Sequence, residues 1–186
     1  IEPAIMALDA GYTANSFSLT IGHRNPVKNA DKRIIIDVMI EIAPEKGKIV
    51  LSHTGIYKKI IKPLIDKFNV SVVLADRWNS IKLLQDIEEE HRITVGQYSL
   101  RYKDMILVKN HIMDGTILVP KATKSLDEII REEQTKYPEC FRDRPVDHFL
   151  LQCATIKDTG KEIVKGTKLT DDLWRSMALV TTFLVN

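Results

Sequence analysis

The chain has 186 residues, enough for one domain with its own hydrophobic core. Hydrophobic residues make up 44% and charged residues 28%, and the formal net charge of +2 excludes a protein that is basic throughout. No apolar run approaches the roughly 20 residues that a membrane-spanning helix needs, so we expect no membrane partner. Any binding of nucleic acid therefore has to come from local patches among the 27 lysines and arginines.

The first three predicted elements are strands. Residues 5–8 and 16–24 are apolar runs joined by a turn that contains glycine, and residues 33–42 alternate between two faces, as antiparallel strands do. Asp9 follows the first strand directly, where an ionised carboxylate is costly unless something pairs with it. One face of the third strand is expected to carry Ile34, Ile36, Val38, Ile40 and Ile42.

A helix and a buried strand follow. Ser52 or Thr54 can cap the helix, and Pro63 inside its apolar pattern predicts a kink or an interruption. Residues 70–75 form a nearly continuous, β-branched apolar run, which is typical of a strand buried on both faces. This run ends at Asp76, so a second acid stands at the end of an apolar strand.

The middle of the chain mixes helices and strands. Asn79 or Ser80 can cap another helix, and residues 93–100 are expected to form a strand. Residues 101–119 are ambiguous, because they combine apolar spacing with a turn at residues 114–115.

The next segment contains a helix and a hairpin. Ser125 and Glu128 form a capping box, which opens a helix that Pro138 stops. Residues 149–156 and 162–164 are expected to be strands on either side of a glycine-containing hairpin turn.

The last predicted element is a helix over residues 171–184, capped by Thr170. Antiparallel strands followed by strands reached through helices indicate an α/β fold with a mixed β-sheet flanked by helices. We expect residues 1–186 to form a single domain. Because the chain begins at Ile1 rather than Met, we also expect it to be part of a larger protein.

Three acids could meet in this fold. If the first and fourth predicted strands are parallel neighbours, Asp9 and Asp76 lie side by side at their carboxyl ends. Asp171 or Asp172, at the start of the last helix, could join them. Carboxylates that crowd together repel one another, and divalent cations remove that cost. Two such ions about 3.5–4 Å apart would activate a water and stabilise the leaving oxygen in phosphodiester cleavage. Any one of these acids taken alone is usually a turn residue or a helix cap.

The order of elements, with acids after the first strand, after the fourth strand and on the last helix, resembles the ribonuclease H-like fold. More narrowly, it resembles the nuclease domain of the large terminase subunit of tailed bacteriophages. Thr170 stands where members of that family often have a histidine. The matching segments are ALDAG at residues 7–11, VVLADR at residues 72–77 and LTDDLWRSMAL at residues 169–179.

This resemblance implies an activity and a site. It implies a divalent-metal-dependent endodeoxyribonuclease that cuts concatemeric viral DNA during genome packaging, with two Mg²⁺ or Mn²⁺ ions. Asp9, Asp76 and Asp172 would be the catalytic metal ligands, and Asp171 is the alternative third acid.

The resemblance also implies partners. They are double-stranded DNA, an N-terminal ATPase motor domain, the small terminase subunit and the portal, in the cytoplasm of an infected bacterial host. The chain contains no G-x-x-x-x-G-K-[ST] motif, so it would be the nuclease part alone.

DNA needs basic side chains near the acids in order to approach them. Most of the candidates flank the predicted hairpin just before the last helix, and each is also compatible with a lysine that is merely solvated. We expect DNA contacts from Arg77, Lys157, Lys161, Lys165 and Lys168.

Three other functions stay open from the sequence. Residues 9–13 fit a D-x-G-x-T phosphate loop, which ATP-binding proteins related to actin and hexokinase use, although those proteins need two lobes. A junction resolvase or transposase-like nuclease would share the same fold. A non-enzymatic interaction domain could retain the fold without the activity.

Overall fold

Six strands form one mixed sheet in a computed structural model that describes residues 2–10, 16–26, 33–42, 52–76, 80–166 and 170–186. The strand order is β5-β4-β1-β2-β3-β6; β1 to β3 form an antiparallel meander, and the remaining neighbours are parallel. The predicted α/β fold with a mixed sheet is thus confirmed. The strands are β1 (Ala4–Ala10), β2 (Phe17–Arg24), β3 (Ile34–Ile42), β4 (Val70–Ala75), β5 (Thr94–Gln97) and β6 (Ile117–Leu118).

Helices cover both faces of this sheet. The helices α4, α6 and α7 pack on one face, and α1, a π-helical turn, α2 and α3 pack on the other. None of the helices within the described ranges has the length and apolar character needed to cross a bilayer. The helical elements are α1 (His53–Ile56), the π-helical turn (Tyr57–Ile61), α2 (Lys62–Phe68), α3 (Ile81–His91), α4 (Tyr102–Met113), α5 (Leu126–Lys136), a 3-10 turn (Glu139–Phe141), α6 (Pro145–Thr155) and α7 (Asp172–Val185).

The first strand is longer than its apolar run. Asp9 lies inside β1 because Asp9 and Ala10 still pair with β2, whose residues there are Ser18 and Phe17. On its other side β1 runs parallel to β4, with Leu8 opposite Ala75. This register makes Asp9 and the residue that follows β4, Asp76, neighbours at the same edge of the sheet.

A β-bulge in β3 overturns the expected single apolar face. Ile21 pairs with Val38 and the next residue, Gly22, pairs with Ile36, so Asp37 is the extra residue. An extra residue sends the following side chains to the opposite face. Consequently Ile34 and Ile36 pack with α7, whereas Val38, Ile40 and Ile42 pack toward α1, α2 and α3.

The expected interruption near Pro63 takes the form of the π-helical turn. The backbone N–H of Lys62 donates to the carbonyl of Tyr57, one residue further back than in an α-helix. Pro63 has no N–H and its ring crowds the preceding turn, so a wider turn accommodates it. At the start of α1, the hydroxyl of Ser52 accepts a hydrogen bond from the backbone N–H of Gly55 at 3.1 Å, as expected of a capping residue.

The expected strand over residues 149–156 is wrong, because residues 149–155 belong to α6 and Ile156 is its C-cap. Pro145 in its first turn favours a helix start. A short apolar run suits a buried helix as well as a strand, and here one side of α6 packs on α7. The hairpin itself exists, but its strands are only two residues long, β7 (Lys157–Asp158) and β8 (Ile163–Val164).

The ends of α5 and α4 follow the sequence, whereas the expected cap of α7 does not. The capping box of Ser125 and Glu128 opens α5, which ends before Pro138. The ambiguous segment after residue 100 contains α4 and the short β6. Thr170, however, does not cap α7; Asp171 is the residue before its first turn, and the hydroxyl of Thr170 bonds elsewhere.

Candidate active site

Asp9 presents a half-buried carboxylate at the edge of the sheet. Burial raises its pKa to about 6; Arg175 opposes the shift, and the negative charges of Asp76 and Asp171 add to it. Asp9 itself lies in β1, and these electrostatic partners come from the residue after β4 and from the start of α7. The acids that the sequence suggested therefore share one environment.

Asp76, the residue after β4, accepts hydrogen bonds from two serines. The hydroxyl of Ser99 donates to its Oδ1 at 3.1 Å, and the hydroxyl of Ser80 donates to its backbone carbonyl at 2.7 Å. Ser80 precedes α3 without capping it, because its hydroxyl is engaged with Asp76 instead. The Nη1 atom of Arg175 lies 3.7 Å from the Oδ2 atom of Asp76.

Asp172 is the acid of α7 that turns inward, with 4% of its surface exposed. The backbone N–H of Ser16 donates to its Oδ2 at 3.3 Å. Burial and the nearby carboxylates of Asp9 and Glu41 raise the pKa of Asp172 to about 7. The hydrogen bond from Ser16 therefore does not offset the cost of burying this carboxylate beside other acids.

Asp171 has a different environment. Its Oδ2 accepts a hydrogen bond from Nε of Arg175 at 2.8 Å, one helical turn further along. The two adjacent acids therefore have different environments. Asp172 is buried close to Asp9, and Asp171 forms an ion pair with Arg175. Sequence spacing left this choice open.

Hydroxyl groups of β2 seat α7 against the sheet. The hydroxyl of Ser18 donates to the backbone carbonyl of Asp172 at 2.7 Å, and Thr20 and Ser176 share a hydrogen bond between their hydroxyls at 2.8 Å. All four residues are buried. Sequence analysis did not single out these serines and threonine, although their alternation along an apolar strand was a visible signal.

A further acid, Glu41 of β3, lies beside Asp172. Its carboxylate bonds Nδ1 of His148 and accepts from the hydroxyl of Thr170 at 3.4 Å. The ring of His148 stacks on Phe141 with centroids 4.8 Å apart, and both side chains are buried. Glu41 was not among the predicted site residues, and the β3 bulge explains how it faces α7.

The hairpin carries three of the predicted basic residues. Lys157 lies in β7, Lys161 lies in the turn and Lys165 follows β8, and all three are exposed. Asp158 ties the hairpin to α4, since it accepts from Nζ of Lys109 at 2.8 Å. The other two predicted contacts, Arg77 and Lys168, lie outside the described residues, as do residues 11–13 of the phosphate-loop hypothesis.

The donor set suits a hard divalent cation, because Asp9, Asp76 and Asp172 supply carboxylate oxygens, the ligands that such cations prefer. Within the described ranges, however, no three acidic, histidine or cysteine side chains converge tightly enough to make a ready ion site. The guanidinium of Arg175 contacts the carboxylates of Asp76 and Asp171. The chemistry of the donors fits, although the described carboxylates are spaced more openly than in a compact ion site.

The fold is shared with solved terminase structures. The crystal structure of the bacteriophage HK97 large terminase matches 98% of this chain over 40% of its own length, with a TM-score of 0.65 and 11% identity. The nuclease domain of the large terminase of bacteriophage SPP1, with bound Mn, matches 96% of this chain over 85% of its own, at TM-score 0.52 and 12% identity. The human cytomegalovirus terminase nuclease domain, soaked with Mn, matches 98% of this chain over 83% of its own length, with a TM-score of 0.55 and 12% identity.

These similarities lie in the structure. No protein-family model matches the sequence, and the search of curated proteins found no match. The chain spans two fifths of the length of the HK97 large terminase. At identities of 11–12% the likeness establishes a common architecture. The chain therefore has the ribonuclease H-like fold of large terminase nuclease domains, as the resemblance in its sequence implied.

Proposed function

We propose that this chain is a divalent-metal-dependent endodeoxyribonuclease domain that cuts concatemeric viral DNA during genome packaging. The observation that carries the proposal is the shared electrostatic environment of Asp9, Asp76 and Asp172 at one edge of the sheet. Its support from comparison is that the fold matches nuclease domains of terminases, two of which were solved with manganese.

In the proposed site, Asp9, Asp76 and Asp172 hold two Mg²⁺ or Mn²⁺ ions. Bound there, the ions would supply an activated water and stabilise the leaving oxygen of the phosphodiester. The chain's own part is to keep three carboxylates together. Burial and mutual repulsion leave Asp9 and Asp172 with raised pKa values, so these groups favour a partner that neutralises them. Asp171 is the alternative ligand, but its carboxylate is engaged by Arg175.

The proposed DNA contacts are basic side chains near the start of α7. Lys157, Lys161 and Lys165 are exposed on or beside the hairpin, and the bond from Lys109 to Asp158 fixes the hairpin to α4. A fixed and positively charged hairpin can guide the phosphate backbone toward the carboxylates without reading sequence. Arg77 and Lys168 are further proposed DNA contacts on the basis of the sequence.

The larger assembly belongs to the same proposal. By likeness to full-length terminases, the chain would be joined to an N-terminal ATPase motor domain and would act on double-stranded DNA. The small terminase subunit and the portal would be its further partners, in the cytoplasm of an infected bacterium.

Nicking of supercoiled plasmid tests the activity. The protein and Asp76→Ala are compared in Mg²⁺, Mn²⁺ and EDTA, with Asp114→Ala as a matched control at an exposed acid. We expect cutting that needs metal, disappears in Asp76→Ala and survives in Asp114→Ala. Cutting that persists in EDTA, or in a folded Asp76→Ala protein, would overturn the proposal, as would the absence of both cutting and Mn²⁺ binding. A four-way DNA junction cut in preference to a linear duplex would favour a junction resolvase instead.

A further inference from the structure

Arg175 is an unusual residue for the helix that carries it. Nearly every side chain of α7 is buried, and its sequence is largely apolar. Arg175 sits at the end of this helix that meets the acids, with 33% of its side chain exposed. A cation in such a helix requires a specific partner, since burying an unpaired charge is costly.

The partners of Arg175 are the acids of the proposed site. Its Nε donates to Asp171 at 2.8 Å, and its Nη1 lies 3.7 Å from Asp76. Although burial opposes its charge, the carboxylates of Asp171, Asp9 and Asp76 raise the pKa of the guanidinium. One guanidinium thus faces acids from β1, from the residue after β4 and from the N-cap of α7.

We propose that Arg175 is a built-in counter-ion that holds these acids in their metal-free arrangement and competes with the divalent cation for Asp76. The inference rests on the proposed function, because it concerns how the same carboxylates become available to metal. It makes Arg175 a positioning residue that acts through Asp76 and Asp171.

The two contacts of Arg175 differ in a way that makes displacement possible. The bond to Asp171 is short and joins residues one turn apart on the same helix, so it needs no movement of α7. The contact with Asp76 is long and reaches across to another element. A cation that enters between the acids can therefore take Asp76 from Arg175 while Asp171 keeps the guanidinium tethered nearby.

Competition has two measurable consequences. Without metal, Arg175 offsets repulsion among the carboxylates and stabilises the fold. With metal, the same attraction has to be broken before Asp76 is available, so the affinity for the ion is lower than the carboxylates alone would give. Removing the guanidinium should move these two properties in opposite directions, whereas the loss of an ordinary structural arginine would weaken both.

The first experiment measures Mn²⁺ binding by calorimetry for the protein, Arg175→Gln and Arg131→Gln. Arg131 is a matched control, since it is an exposed helical arginine whose Nε bonds the backbone carbonyl of Asp127. For Arg175→Gln we expect a lower melting temperature in EDTA and Mn²⁺ binding about 3- to 30-fold tighter, the range between an exposed and a buried ion pair. Unchanged or weaker Mn²⁺ binding by folded Arg175→Gln would overturn the inference.

A second experiment follows Arg175 itself and does not depend on the glutamine variant. The side-chain Nε–H signal of Arg175, identified by its absence from the spectrum of Arg175→Lys, is recorded by NMR during titration with diamagnetic Mg²⁺. We expect the signal to shift as the site fills, because the guanidinium loses Asp76. A signal that does not move while Mg²⁺ binds would overturn the proposal.

The two proposals fail in different ways. Mn²⁺ binding that Asp76→Ala abolishes but Arg175→Gln leaves unchanged would retain the metal site and refute the role of Arg175. Binding that emerges only in Arg175→Gln would support the role of Arg175 strongly. Binding by neither protein would refute both.

Discussion

Ser18 donates a hydrogen bond from its hydroxyl to the backbone carbonyl of Asp172, at 2.7 Å. This bond joins the second strand to the first turn of α7, and the hydroxyl pair of Thr20 and Ser176 repeats the connection one turn later. Two buried polar contacts along one strand fix both the position and the rotation of the helix. They decide where the carboxylate of Asp172 stands relative to Asp9.

Removal of the Ser18 hydroxyl should therefore affect the site more than the fold. We expect Ser18→Ala to lower the free energy of unfolding by about 1–2 kcal/mol, the usual cost of one buried hydrogen bond. We also expect weaker Mn²⁺ binding and slower plasmid nicking, because Asp172 is no longer held in place. Ser71→Ala is the matched control, since Ser71 is another strand serine that bonds a backbone carbonyl, that of Ala4, at 3.4 Å. Equal losses of metal binding in the two variants would contradict this role of Ser18.

Asp172 should destabilise the metal-free protein at neutral pH. Its pKa rises from 3.8 to about 7 on folding, so the folded state binds the proton more tightly than the unfolded state. Stability is therefore lost as the pH rises from about 4 to about 7, and the penalty stays constant above that range. We expect Asp172→Asn to be more stable than the unmodified protein by about 1–4 kcal/mol at pH 8 and to have little advantage at pH 4. Urea unfolding in EDTA at both pH values measures this difference, and an equal difference at the two values would contradict the prediction. The same substitution should abolish cleavage.

Metal binding should depend on pH for the same reason. Asp9 and Asp172 have pKa values of about 6 and about 7, and a carboxylate must be ionised to hold a cation. Combining the two protonation equilibria, we expect Mn²⁺ affinity to fall roughly 20-fold between pH 8 and pH 6. Calorimetry in buffers of different ionisation enthalpy should also detect protons released on binding near pH 6.5. An affinity that is flat across this range, with no proton release, would show that these two groups are not the ligands.

Charge reversal on the hairpin tests the proposed path of DNA. We expect Lys161→Glu combined with Lys165→Glu to weaken binding of a linear duplex about 10- to 100-fold. The slope of the logarithm of affinity against the logarithm of salt concentration should also fall, by the amount that corresponds to about two phosphate contacts. Fluorescence anisotropy in EDTA measures binding without cleavage.

The matched control for the hairpin is the same double reversal at Lys58 and Lys59. These lysines are exposed on the π-helical turn, which belongs to the helical layer on the opposite face of the sheet. If the hairpin variant binds and cuts DNA as well as this control does, the hairpin has no part in guiding the duplex.

Local patterns were reliable where one short interaction decides the structure. The capping box of Ser125 and Glu128 and the interruption before Pro63 follow from hydrogen bonds that lie within a single turn. The apolar run before Asp76 identified a buried strand because both of its faces had to be covered. Its adjacency to the first strand was a hypothesis that the pairing of β1 with β4 confirms.

Predictions failed where a distant partner decides the structure. The apolar residues 149–156 suit either a strand or a helix, and packing against α7 selects the helix. The bulge at Asp37 reverses the faces of β3, and no alternation within β3 alone reveals it. Arg175 was visible four residues after Asp171, yet nothing in that spacing shows that it also reaches Asp76.

The sequence by itself determined the fold class, a mixed sheet flanked by helices, and the position of an acid at or just beyond the carboxyl end of each of two central strands. These features depend on the periodicity of apolar residues and on short connections, and both can be recognised from residues close together in the sequence. Only the tertiary structure decided that Asp172 rather than Asp171 is buried, that Glu41 stands beside it, and that Arg175 compensates the cluster. The β3 bulge sets the orientation of Glu41. The rotation of α7 sets the other two features, and contacts with strand residues more than 150 positions away in the chain fix that rotation.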